Sequence, residues 1–114
     1  MKTNKALPRP VIVALPAEID MTNTDRVAAQ LSEALATGAH VVIADLTTTT
    51  FCDSAGIRGL TLLHRQAAGH GSRLHLAVAA GGPVSRVLDL MDLTGVLHVF
   101  PTVEAAAAVT SVGR

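Results

Sequence analysis

Two uninterrupted apolar runs, Val11-Ile12-Val13-Ala14-Leu15 and Val41-Val42-Ile43-Ala44, stand on either side of a segment with helical periodicity. A run that is apolar at every position, rather than at alternate ones, marks a strand covered on both faces, so both runs are expected inside a sheet. Between them Asn23 or Thr24 is placed to cap a helix whose apolar positions Val27, Ala28, Leu31, Ala34 and Leu35 end at Gly38. The alternation then continues. A second helix is predicted from Ser54 through Ile57, Leu60, Leu63 and Ala67 to the stop at Gly69 and Gly71, followed by a strand over Leu74–Val78. Pro83 fits the first turn of a third helix carrying Val84, Val87, Leu88 and Met91 and ending at Gly95. Leu97–Phe100 reads as the last strand, Pro101 as a break, and Glu104–Val109 as a terminal helix. The order β-α-β-α-β-α-β-α predicts an α/β domain with a mainly parallel sheet of about four strands and four α-helices. Sites in such sheets gather in loops beyond the carboxyl ends of the strands. The run Thr47–Thr50 falls there and reads as a polar loop.

A chain of 114 residues is long enough for one core and short for two. The boundaries expected are a short N-terminal segment over 1–10 and one domain over 11–114. Apolar residues form 49% of the chain against 16% charged, which favours a packed core over disorder. Nine basic and nine acidic side chains cancel, so no general attraction to phosphate backbones exists. Phe51 and Phe100 are the only aromatics and offer no stacking platform for unpaired bases. Nucleic acid is therefore not an expected partner. Apolar stretches fall far below the about 18 residues of a spanning helix, so no membrane insertion is expected. The single Cys52 forms no internal disulfide, and Pro8 and Pro10 stand where a signal peptide needs an apolar run. A cytoplasmic location follows as the expectation.

No G-x-x-x-x-G-K or G-x-G-x-x-G spacing occurs, which argues against a nucleotide-hydrolysing loop and leaves no cofactor motif. His40, His64, His70, His75 and His98 lack the i, i+4 pairing of a helical zinc site and are read as dispersed surface or strand-end residues, with no metal expected. Cys52-Asp53-Ser54 is the densest reactive cluster, on the loop before the second helix. As a nucleophile, Cys52 or Ser54 lacks both the G-x-S-x-G context and an identifiable histidine base. Catalysis is not the expected role. Cys52 reads better as a small core side chain, and Ser54 as a helix N-cap. A hydroxyl there stands at the positive end of the helix dipole, where a phosphate would be held by N–H groups; Asp53 is the charge that would oppose it.

Phe51-Cys52-Asp53-Ser54-Ala55-Gly56-Ile57-Arg58-Gly59-Leu60, preceded by Val41–Ala44 and Asp45-Leu46, resembles the signature of STAS domains, in particular bacterial anti-sigma factor antagonists (anti-anti-sigma factors). The likeness continues through Leu74–Val78, through Val84-Ser85-Arg86-Val87-Leu88-Asp89-Leu90 and through Leu93-Thr94-Gly95-Val96. Near the start, Ala17-Glu18-Ile19-Asp20 is similar to the family's Gly-Glu-Leu-Asp element. The resemblance implies a single STAS-like domain that binds an anti-sigma factor with serine kinase activity and releases a sigma factor. It also implies inactivation by phosphorylation at Ser54, with a phosphatase as a further partner that resets it, and it places the acidic Asp20 near that serine. Partner contacts are expected at Asp20, Asp53, Ser54, Gly56, Arg58, Leu62 and Arg65, the last group because Arg58, Leu62 and Arg65 share one helix face at i, i+4 and i+7. The expected state is a monomer or weak dimer. Two departures stand out: Ala17 replaces the family's glycine, and the short, proline-bearing start leaves the family's leading strand in question. The competing readings are a STAS-domain subunit of a lipid-transport ATPase complex or larger signalling assembly, and a small enzyme using Cys52.

Overall fold

The structure, a computed structural model, describes residues 9–109. The sequence pattern resolves into strands β1 (Val11–Ala14), β2 (Glu18–Ile19), β3 (Val41–Asp45), β4 (Phe51–Cys52), β5 (Arg73–Ala77) and β6 (His98–Phe100). The helices are α1 (Thr24–Leu35), α2 (Ser54–Gly69), α3 (Pro83–Leu90) and α4 (Val103–Ala108). Four strands form one sheet in the order β1-β3-β5-β6, every neighbouring pair parallel. The α/β architecture expected from the alternation is thus the one found. A fifth, leading strand would fall on residues 1–8, outside the described residues.

Side chains alternate across a strand, and the two faces of the sheet bury different partners. Val42, Ala44, Leu74 and Leu76 pack with Val27, Leu31 and Ala34 of α1, Ile57, Leu60, Leu63 and Ala67 of α2, and Val84 and Leu88 of α3. Val41, Ile43 and Ala77 face the other way, onto Ala106 of α4. β3 is interior and buried on both faces, as its unbroken apolar run requires. β1 is not: among the described residues it pairs with β3 alone and leaves Ile12 and Ala14 exposed. Its composition misleads because burial on both faces depends on a neighbour, not on the strand's own side chains.

The end of α3 and the cap of α1 differ from expectation, whereas α2 stops at Gly69 and Gly71 as expected. α3 stops at Leu90, ahead of Gly95. Asp92 takes φ +58, and the N–H groups of Asp92 and Leu93 bond to the carbonyls of Asp89 and Leu88, which is the bonding of a left-handed helix terminator. α2 ends the same way with Gly71 at φ +76, its N–H on Ala68 and that of Ser72 on Ala67. At the start of α1 Asn23 occupies the cap position, yet its side chain turns back: Oδ1 accepts from Asp20 N at 3.0 Å and Nδ2 donates to Glu18 O at 2.8 Å. Among the described residues no helix is long and apolar enough to cross a membrane.

Candidate functional site at the carboxyl edge of the sheet

Beyond β1 and β3 the chain makes a second, two-stranded ladder in which Glu18 pairs with Phe51 and Ile19 with Cys52. Its bonds extend both ways: Ala17 O accepts from Thr50 N at 2.8 Å, and Ile19 O from Asp53 N at 3.1 Å. Buried Thr49 adds a hydroxyl bond to Pro16 O at 2.9 Å. The threonine run is a loop, as read from the sequence, and it also ties the two connections together. Among the described residues Asp92 is the one non-glycine residue with positive φ. Ala17 therefore stands in backbone that alanine adopts without strain.

This ladder brings Asp20 and Asp53, each the next residue after its strand, to the same edge. Asp20 Oδ1 accepts from the hydroxyl and, at 2.9 Å, the N–H of Thr22. Those two bonds, the hydroxyl foremost, hold the Asp20 carboxyl below its ordinary range, so the group stays anionic. Asp53, not Ser54, is the N-cap of α2: its Oδ1 accepts from Gly56 N at 2.9 Å. Ser54 is the first helical residue and is exposed. The N-cap reading of Ser54 is thus corrected by one position: Asp53 has the extended dihedral angles of a cap, φ -81 and ψ 179, while Ser54 already stands in the helix.

Cys52 is buried, and its thiol is pushed up to about 11 by burial and then by the neighbouring Asp53 charge. A nucleophilic cysteine needs the opposite shift, so the enzyme reading loses its residue. Gly56, expected at the partner contact, is buried: a Cβ there would lie 2.7 Å from Cys52 Sγ and 2.9 Å from Ile19 Cγ2. It lets α2 approach the ladder. Arg58, Leu62 and Arg65 are all exposed on α2, Leu62 at 57%. Arg58 and Leu62 border a groove of about 310 Å³ against Thr24, Asp25 and Ala28 of α1.

Two exposed apolar side chains at this edge are not among the partner contacts expected from the sequence. Met21 is 79% and Phe51 49% exposed, one beside Asp20 and the other three residues before Ser54. Phe51 looks like core material until the two-residue strand β4 is known to turn Cys52 inward and Phe51 outward.

A family profile described as STAS domain matches residues 2–106. No curated protein matches the chain in sequence. Among solved structures, an anti-sigma factor antagonist from Mycobacterium paratuberculosis superposes with a TM-score of 0.80 at 18% identity, over 93% of this chain and 89% of that one. The Bacillus cell fate determinant SpoIIAA in its phosphorylated form gives 0.61 at 22% identity, over 89% and 90%. A sulfate transporter family protein from Wolinella succinogenes gives 0.66 at 18%, over 93% and 88%. At such identities the superpositions speak for the fold, while the profile spans nearly all of the sequence, ladder and α2 included: the chain belongs to the STAS domain family.

Proposed function

We propose that this protein is an anti-sigma factor antagonist, switched off by phosphorylation of Ser54 by an anti-sigma factor of the serine kinase type. The observation that carries the reading is the exposed hydroxyl of Ser54 at the first position of α2. It lies on the edge that also holds anionic Asp20 and the exposed Met21 and Phe51. Unmodified, the edge offers apolar anchors and the cationic Arg58–Arg65 face of α2 to a partner. Phosphorylated, the same hydroxyl carries a near-dianion beside Asp20 and Asp53, and the repulsion and desolvation cost of that charge weaken an interface that fits the unmodified surface. The Asp53 carboxylate is turned onto Gly56 N, and its charge adds to the repulsion once Ser54 is modified. Two structural neighbours agree with this reading, one an anti-sigma factor antagonist and one a phosphorylated form of SpoIIAA.

Incubation with a cognate anti-sigma kinase and ATP, followed by mass spectrometric mapping, is expected to place phosphate on Ser54; phosphate confined to Thr47–Thr50 refutes the assignment. Ser54→Ala is expected to bind the kinase as the unmodified protein does, and Ser54→Asp about tenfold or more weakly, a difference of about 1.4 kcal/mol. Equal affinities remove the switch. The transporter-family neighbour favours a second reading, a STAS subunit of a transport assembly. Co-purification from the native cell separates the two, since one brings down a kinase-like anti-sigma factor and the other a permease with its ATPase.

A further inference from the structure

Three of the five histidines are not dispersed, contrary to the sequence expectation. His64 of α2, His75 of β5 and His98 of β6 converge, with ring centroids 5.1 Å apart for His64 and His98 and 5.6 Å for His75 and His98. Their meeting depends on the register that sets His75 opposite His98 and on the fold of α2 beside β5, neither of which is visible in linear spacing. A cleft of about 330 Å³ opens at this cluster, lined by His64, Ala68, Gly71, Ser72, Arg73 and His98. That volume suits a small molecule. The cleft lies at the amino end of β5, whereas Ser54 stands ten residues up α2 from His64, about 15 Å at helical rise.

We propose that this cleft binds a small oxyanion, a carboxylate or phosphate group of a metabolite, between the Arg73 guanidinium and the imidazoles of His64 and His98. The lining carries one permanent cation and two potential ones, and none of its residues is acidic. His64 Nδ1 is buried without a hydrogen-bond partner, alone among the side-chain nitrogens and oxygens of the described residues. The carbonyls of the last turn of α2 are hydrogen-bonded, Ala67 O accepting from His70 N and Ser72 N and Ala68 O from Gly71 N, but they remain the negative end of the helix, and the Arg73 and imidazole charges must outweigh them. A metal ion suits the cleft less well. The guanidinium repels it, and among the described residues no group of three His, Cys, Asp or Glu side chains is placed to hold one.

The imidazoles also give the site a pH dependence. Burial lowers the His64 pKa, with the Arg65 and Arg73 charges adding to it; burial lowers that of His98, with His64, Arg73 and His75 adding. From the α4 side the cluster meets a carbonyl, Ala106 O, 2.9 Å from His75 Nδ1. Among the described residues the charges that lower the two cleft histidines are positive, and an oxyanion relieves that repulsion and favours their protonated forms. Affinity should rise as pH falls.

Histidine ring NMR signals of the intact chain, titrated with inorganic phosphate and separately with succinate at fixed ionic strength, test this. Saturable shifts confined to His64, His75 and His98 are expected, with affinity several-fold higher at about pH 6 than at about pH 8. The better of the two ligands identifies the class. Arg73→Gln and, independently of it should that variant fold poorly, His98→Gln are expected to weaken binding at least about fivefold. Arg26→Gln removes an equal charge from α1, outside the cleft, and is expected to bind as the unaltered protein does. Non-saturating shifts shared by His40 and His70, or equal loss in Arg26→Gln, overturn the site. Ser54 takes no part in this readout, so its outcome is separate from that of the switch.

Discussion

A methyl group added at Gly56 would lie well inside contact distance of Cys52 Sγ and Ile19 Cγ2. Both are buried, so neither has a free path to yield. Gly56→Ala is therefore expected to destabilise the fold by about 1–3 kcal/mol in urea denaturation, the usual range for overpacking. Cys52→Ala removes the nearer atom and should recover part of that loss in the double variant; strict additivity would mean that the two positions do not touch. The thiol yields a second expectation. Its folded value of about 11 lies above the 9.0 of an unperturbed group. The fold favours the neutral thiol, and this contribution is complete below 9.0 and lost as pH rises toward about 11. Alkylation of the native protein should be slow at neutral pH and accelerate on unfolding; rapid native alkylation would restore a reactive cysteine to consideration. The Cys-Asp-Ser cluster was legible as the place to look. Which of its members caps the helix was not, because Asp53 and Ser54 both suit the cap and only the dihedral angles at the turn decide between them.

The helices and the longer strands follow from their own periodicity, since a buried stripe at 3.6 residues and an apolar run of five are local patterns. The two-residue ladder of β2 and β4 is not local. It joins residues 33 apart, Glu18 to Phe51 and Ile19 to Cys52, and segments so short carry no pattern of their own. The end of α3 is hidden for a related reason: glycine is the usual left-handed residue and points to Gly95, whereas the chain turns at Asp92. Asp92 at φ +58 carries the cost of that conformation. Asp92→Gly is thus expected to raise stability by up to about 1 kcal/mol in chemical denaturation. A loss instead would show that the Asp92 side chain contributes more than its backbone strain removes.

Burial holds His64, His75 and His98 below the ordinary histidine value of 6.5. The unfolded chain then binds more protons than the folded one once pH falls below that value. The stability these residues contribute is complete above 6.5 and drains away as pH falls through their lowered folded values. Denaturation midpoints should accordingly drop between about pH 7 and about pH 5, and His75→Gln should flatten that slope; an unchanged slope would move the acid sensitivity elsewhere. Phosphate or succinate in the cleft should oppose the drop, as any ligand of the folded state does. The amino-acid order by itself determined the four helices, the four strands of the main sheet and the segment that carries the family signature, because each is a pattern within one short stretch of chain, and their alternation implied the parallel sheet. Tertiary structure alone decided that β1 leaves Ile12 and Ala14 exposed, that Met21 and Phe51 are exposed, and that three histidines from α2, β5 and β6 cluster beside a cleft. Those outcomes depend on strand order and register, which bring together residues tens of positions apart and leave no trace in local spacing.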